Sequence, residues 1–260
     1  MTEGLEALAG MEYPGRFLIL GKGLSGEQHI VVYGMTSRNP KNRLRKLVLK
    51  EAGTKISVKA TDKKELADTG TDLKLLLYTA IFMGDKGIVV GNGEQTDSVN
   101  KYFTESNPSL EPLPTIVAGH TDPGVNEGLG WSYEHDPPCR TPRISGCIGL
   151  ERAAIGIIKK AEGSLLPTRQ YFEVPLICGE GKLITTYLYG DSTSTPPFEG
   201  EPLDIRLEIE TAKELAVEVY NALEPKGQNP EKDFRISVAA VYFDREKRSR
   251  EAHIINRHDT

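Results

Sequence analysis

The sequence is short of several things that would have narrowed its function at once. Its 260 residues hold only three cysteines (Cys139, Cys147 and Cys178), too few for a disulfide framework and suited to a reducing compartment. Its longest mainly apolar stretch, residues 75–83, falls far short of the ~20 residues needed to cross a bilayer. Residues 1–11 carry Glu3 and Glu6 where a secretory leader would place a basic region and an apolar run. Neither secretion nor membrane spanning is expected, and a cytoplasmic location is. Positive charge is not in excess: 32 Lys+Arg against 37 Asp+Glu leave a net charge of −5, which speaks against a general nucleic-acid binder. No Gly-x-Ser-x-Gly nucleophile turn, phosphate loop or dinucleotide fingerprint is present. No internal repeat or Gly/Ser linker divides the chain.

What is present is an ordinary globular composition, 38% apolar and 27% charged. Short β-branched runs dominate the first hundred residues. Residues 17–20 and 30–33, joined by the Gly-rich stretch 21–26, predict a hairpin. Residues 75–83 and 88–90 predict a second one around Gly84-Asp85-Lys86-Gly87. Shorter strands are expected at 47–49 and 56–58, and longer ones at 144–150, 153–158, 171–177, 183–189 and 236–243. Several are apolar at both alternating sets of positions, as in a sheet covered on both faces. Helix is rarer. Thr211-Ala212-Lys213-Glu214 has capping-box spacing, and Ala212, Leu215, Ala216, Val219 and Leu223 recur at helical intervals behind it. Thr96 or Asp97 would cap a shorter helix turning Val99, Tyr102 and Phe103 inward. Residues 107–142 hold seven prolines and predict a long irregular connection. Many strands, few helices and no βαβ alternation give an α+β sandwich in one domain over residues 1–260, with 1–12 and 244–260 as peripheral tails. The basic stretch 245–257, interrupted by Glu246 and Glu251, reads as a solvated surface segment.

Several clusters could carry chemistry. Residues 36–46 hold five cations in eleven positions, and a turn at Asn39-Pro40 would fan Arg38, Asn42 and Arg43 around one point. Arginine's rigid fork fits phosphate or carboxylate, although a solvated basic turn has the same pattern. Gly91-Asn92-Gly93-Glu94-Gln95-Thr96-Asp97 leaves a strand and enters a helix, where glycines and free amides favour an anion; a plain connecting turn reads identically. Tyr78 lies in an apolar run, and Glu134 and Asp136 sit near Trp131, Tyr133 and His135. Thr141-Pro142-Arg143 places another arginine at the mouth of a strand. His120-x-Asp122 and His135-x3-Cys139-x7-Cys147 match no standard zinc spacing, and no metal site is expected.

Taken in order, these motifs resemble the stand-alone, archaeal-type inosine monophosphate (IMP) cyclohydrolase family. The resemblance runs through Tyr13-Pro14-Gly15-Arg16, Ser37-Arg38-x4-Asn42-Arg43, Tyr78, Asn92-Gly93-x2-Thr96-Asp97, Tyr133-Glu134-x-Asp136 and Thr141-Pro142-Arg143-Ile144. This chain is longer than the compact archaeal form, notably around 106–129 and after Phe243. The resemblance implies a four-layer αββα sandwich similar to the N-terminal-nucleophile hydrolase fold, without a terminal nucleophile. It also implies closure of 5-formamidoimidazole-4-carboxamide ribonucleotide to IMP with loss of water, the last step of purine biosynthesis, with no cofactor and no metal. The partners implied are that nucleotide and IMP, with no nucleic acid and no membrane, in an assembly of identical subunits. Residue by residue, the resemblance gives Arg43 the formyl oxygen, Tyr78 a hydrogen bond or proton to the developing hydroxyl, and Glu134 proton transfer. Asn92, Gly93, Thr96 and Asp97 would hold ribose or base, and Arg16, Ser37, Arg38, Asn42, Thr141 and Arg143 would anchor phosphate or substrate.

Two rivals follow from the same residues. One is a purine-nucleotide-binding protein that kept the pocket and lost the reaction. The other is an amidohydrolase of the same sandwich, which would need Cys, Ser or Thr as its first residue after processing, and no cleavage point leaves one beside a strand.

Overall fold

A computed structural model describes residues 4–105, 131–188, 195–225 and 230–259. The Pro-rich stretch lies outside the described residues up to 130, as do His120 and Asp122. The fold is mixed α+β, with two antiparallel sheets and few helices. The first sheet contains β1 (Arg16–Lys22), β2 (Gln28–Thr36), β10 (Glu180–Thr185), β11 (Leu203–Arg206), β12 (Arg235–Asp244) and β13 (Ser249–Asn256), in the order β11-β10-β1-β2-β12-β13. The second runs β3 (Arg45–Lys50), β4 (Lys55–Ala60), β5 (Thr79–Gly84), β6 (Gly87–Gly91), β7 (Arg143–Gly149), β8 (Ala153–Lys160) and β9 (Pro167–Val174), with neighbours in chain order. The helices described are α1 (Leu5–Gly10), α2 (Lys63–Ala67), α3 (Leu73–Leu76), α4 (Gln95–Glu105) and α5 (Ala212–Ala222).

The double-sided apolar pattern explains the layering. Along β1 and β2, Leu18, Leu20, Val31 and Tyr33 point between the sheets and join Val90, Ile144 and Ile155 of the second sheet. The alternate residues Phe17, Ile19, Ile30 and Val32 point outward onto α1 and α5, against Leu5, Leu8, Leu215 and Val219. On the far side, Val99 and Phe103 of α4 cover Phe82, Val89 and Cys147. Each side chain so buried contributes about 1.5–3 kcal/mol, and polar residues on either face would leave a layer uncovered. Thr211 caps α5 as its spacing predicts, its Oγ1 accepting from the Glu214 amide at 3.2 Å and donating to Glu214 Oε2 at 2.9 Å. Crowding between the layers fixes one residue outright. A methyl group on Gly34 would lie 1.9 Å from the buried Phe17 ring, so Gly34→Ala should cost about 3 kcal/mol of unfolding free energy, read as a lowered urea midpoint at constant slope.

Several elements differ from expectation, and Thr96 and Asp97 lie within the first turn of α4 rather than capping it. The run 75–83 is not one strand: Asp72 Oδ1 accepts from the Lys74 amide at 3.0 Å and starts α3, so β5 begins only at Thr79. That turn leaves Tyr78 at the doorstep of β5, packed into the core between the sheets. The stretch 183–189 stops being strand after Thr185, whose hydroxyl donates to the Tyr187 carbonyl at 2.6 Å. The expected tails are partly built in. Leu5 and Leu8 are buried against α5, and residues Ser249–Asn256 form β13, paired with Ser237–Asp244 of β12. Asn256 then ties the sheets together, accepting from the Leu47 amide at 2.8 Å and donating to the Leu47 carbonyl at 3.1 Å.

Candidate active site

At the end of the sandwich where β1, β3 and β7 begin and β2 ends, the sheets part around a cavity of about 420 Å³, a volume usual for small-molecule sites. Arg16, the first residue of β1, reaches into it and donates from Nη2 to Glu134 Oε1 at 2.5 Å. Glu134 is 2% exposed, and its amide is held by the Thr141 carbonyl at 2.9 Å. Burial pushes its carboxyl above the usual carboxylate range, with Arg16 and Arg143 pulling the other way.

Arg45 opens β3 and is 2% exposed. Its Nε donates to the Asn42 carbonyl at 2.6 Å and its Nη1 to Leu76 at 3.5 Å. Arg38 lies 5.0 Å from the Tyr13 ring centre and donates to Cys139 Sγ at 3.3 Å. Beneath Arg16 and Arg45, the Tyr33 and Tyr78 hydroxyls meet at 2.6 Å, and burial holds the Tyr33 hydroxyl far above its ordinary range. Asp136, Thr141 and Tyr187 also line the cavity, with Tyr187 stacked on Tyr13 at 5.6 Å. Among the residues lining the cavity, two buried side-chain atoms have no hydrogen-bond partner, Arg16 Nε and Asn42 Oδ1.

Charge is the dominant feature. The guanidiniums of Arg16, Arg38 and Arg45 line the cavity against Glu134, which is buried, and Asp136, which is less deeply placed, while Arg143 lies outside the lining and acts on Glu134 only through space. Burying unmatched charge is costly, so such a cavity favours a ligand with at least one strong negative group. Two further hollows, one with Glu12, Glu224 and Lys232 and the other with Glu180, Asp204 and Arg206, have no comparable surplus.

The residues singled out in the sequence fall into four places. Arg16, Ser37, Arg38, Asn42, Glu134 and Thr141 line the cavity, and Tyr78 lies directly behind its arginines. Arg43 does not line it. Its Nε donates to the Ser37 carbonyl at 2.9 Å and its Nη2 to those of Arg38 and Glu231 at 3.2 and 3.3 Å, so it braces the basic turn from outside. Asn92, Gly93 and Thr96 form a second cluster that holds Arg143. The Asn92 amide accepts from the Ile144 amide at 2.8 Å and donates to the Pro142 carbonyl at 2.8 Å. Gln95 accepts from Arg143 Nη1 at 2.9 Å, and a Cβ on Gly93 would come within 2.4 Å of that same nitrogen. Asp97 faces Lys55 instead, its carboxyl raised chiefly by burial. Sequence reasoning passed over Arg45, Tyr33, Gln95 and Tyr187. Arg45 carried a usable signal: it is in phase with inward-facing Leu47 on β3, where a charge has no place without a purpose.

An arginine-rich cleft at the open end of a helix-covered sheet pair defines a small-molecule site for a polar anion. Comparison with known proteins agrees in kind. The family model described as IMP cyclohydrolase-like protein matches residues 13–247, and the chain belongs to that family. It is also 28% identical over 193 residues to an IMP cyclohydrolase of Methanopyrus kandleri, covering 74% of this chain and 82% of that one. No helix among the described residues is long and apolar enough to cross a membrane.

Proposed function

We propose that this protein is an IMP cyclohydrolase, closing 5-formamidoimidazole-4-carboxamide ribonucleotide to IMP with loss of water, in the class of enzymes acting on cyclic-amidine C–N bonds. The observation that carries the reading is the surplus of buried guanidinium around a cavity of nucleotide size, in a chain that belongs to this family. The layer order, helix–sheet–sheet–helix, supports the likeness to the N-terminal-nucleophile hydrolase sandwich. The reaction itself needs no terminal nucleophile, because both reacting groups sit on one imidazole ring and positioning replaces a bimolecular encounter.

The carboxamide nitrogen attacks the formyl carbon, and the oxygen that gains charge needs preorganised donors. Arg45 and Arg16 are the buried guanidiniums placed to supply them, with the Tyr78 hydroxyl behind. In this reading Arg45, rather than Arg43, takes the formyl oxygen, and Arg43 keeps the basic turn in shape. The 5′-phosphate then lies toward the more open turn, against Ser37, Arg38 and Asn42. Glu134, its carboxyl raised by burial, is suited to take a proton as the carbinol loses water.

The test is to mix the protein with the formamido nucleotide and follow the ultraviolet change on ring closure. The rate should rise with pH as Glu134 ionises, with the acid limb above the ordinary glutamate range because burial raises this carboxyl. Glu134→Gln should lower kcat by about 10²–10³ and lose that limb. No absorbance change with the wild-type protein would refute the reading, and an unaltered Glu134→Gln profile would remove Glu134 from it.

A further inference from the structure

One wall of the cavity carries a chain of three side chains whose hydrogen-bond directions can be worked out. The Thr141 amide donates to Asp136 Oδ1 at 2.7 Å, and the Thr141 hydroxyl lies 2.5 Å from Asp136 Oδ2 and 2.7 Å from the Tyr187 hydroxyl. An ionised carboxylate only accepts, and a threonine hydroxyl has one hydrogen to give. Thr141 therefore donates to Asp136, and Tyr187 must donate to Thr141. The Tyr187 oxygen has spent its hydrogen on the wall and offers the cavity only lone pairs. Its ring is fixed by stacking on Tyr13 and by burial at 3% exposure, so the hydroxyl is aimed rather than free to turn.

A ligand group meeting this oxygen must be a donor. We propose that Tyr187, Thr141 and Asp136 form a proton relay that takes the hydrogen from the attacking carboxamide nitrogen, with Tyr187 touching the substrate and Asp136 as the terminal base. The proposal rests on the cyclohydrolase reading above. As the nitrogen lone pair forms the new N–C bond, the carbonyl π pair moves onto the formyl oxygen. The N–H proton passes to Tyr187 Oη, the Tyr187 proton to Thr141 Oγ1, and the Thr141 proton to Asp136 Oδ2. Running backward, the relay returns that proton to the alkoxide, giving a neutral carbinol. The hydroxyl then leaves with the hydrogen of the former formamido nitrogen as water, and the C=N bond of the new ring forms.

The arrangement suits the chemistry. Burial pushes the Tyr187 hydroxyl far above its ordinary range, so it is no base by itself and works only by passing a proton on. Thr141 and Tyr187 are both almost fully buried, which keeps bulk water from short-circuiting the path. Asp136 and Thr141 are positioning and relay residues, since neither needs to touch the reacting atoms.

Steady-state kinetics with the formamido nucleotide in H₂O–D₂O mixtures tests this. Wild-type kcat should show a solvent isotope effect whose dependence on deuterium fraction is curved, because several protons move together. Thr141→Val, which keeps the shape and removes the hydroxyl, should lower kcat on the order of 10²-fold with KM changed less than about threefold. Thr141→Ser should restore most of the rate, and Tyr187→Phe should match Thr141→Val should the valine variant not fold. A linear wild-type inventory overturns the relay. So does Tyr187→Phe with normal kcat and a raised KM, which would make Tyr187 a reader of a ribose hydroxyl. An inactive wild-type protein would overturn the cyclohydrolase reading itself, a result separate from either of these.

Discussion

Arg16→Leu is expected to abolish measurable turnover and to lower unfolding free energy by about 3 kcal/mol, the scale for breaking a buried ion pair from one side. The cause is the partner left behind. Glu134 Oε1 loses its guanidinium contact at 2.5 Å while staying 2% exposed, and an unpaired carboxylate there must either remain desolvated or take up a proton. Burial has already raised this carboxyl, so protonation is the cheaper outcome and limits the loss. Relief of repulsion between Arg16 and Arg45 offsets a further part. The double variant Arg16→Leu/Glu134→Leu should regain most of the stability, because a buried pair replaced by apolar groups often costs nothing, and should regain none of the activity. Urea denaturation of the single and double variants, with turnover measured alongside, checks both halves. A single variant within about 1 kcal/mol of wild type would mean the pair is not held as described.

The second large effect concerns acid stability and lies at the opposite end of the sheets. His29 on β2 pairs in register with Lys22 of β1 and Phe243 of β12. It is fully buried, and neither ring nitrogen has a partner among the described residues. Burial first, then Arg245 and Lys22, lowers its pKa from 6.5 to about 4. The unfolded chain takes up this proton as pH falls through about 6.5, whereas the folded chain refuses it until about 4. The neutral ring's contribution is therefore intact above 6.5 and is lost as pH falls through that window, by about 3 kcal/mol in all. Glu134 works in the opposite sense, since its raised carboxyl favours the fold as pH falls. His29→Leu should flatten the decline: between pH 7 and pH 4 the wild-type protein should lose about 3 kcal/mol more than the variant. Equal losses would show that the imidazole is already protonated or solvated in the fold.

The sequence made the layers legible because their signal is local. Double-sided apolar runs on β1, β2 and β12 and the Thr211 N-cap each declare themselves within a dozen positions. The site was legible only in part, because its logic is not local. Arg16, Arg38 and Glu134 were found as members of short motifs, and they do converge on one cavity. Arg43 and Arg45, cations two positions apart, differ in the sequence only by their phase relative to the strand that follows. Which one enters the cavity depends on strand phase, since Arg45 falls in step with inward Leu47, and the single-turn 3₁₀ helix Lys41–Arg43 turns Arg43 outward onto three backbone carbonyls. Asn92 and Thr96 looked like ligand contacts because Asn and Thr beside glycine suit both a ligand and a turn. Their polar atoms are instead occupied by Pro142, Ile144 and Gly93. Tyr187 carried no motif at all, and its place depends on a strand that ends two residues before it.

The stitching of β13 has a consequence for how the molecule is made. Asn256 clamps Leu47, and His258 Nε2 lies 2.7 Å from the carbonyl oxygen of Arg43, the residue that braces the basic turn. The anion-binding edge of the cavity is thus finished by residues translated some two hundred positions after it. The rim therefore latches only once contacts some two hundred positions apart have closed, which makes it a late step in folding.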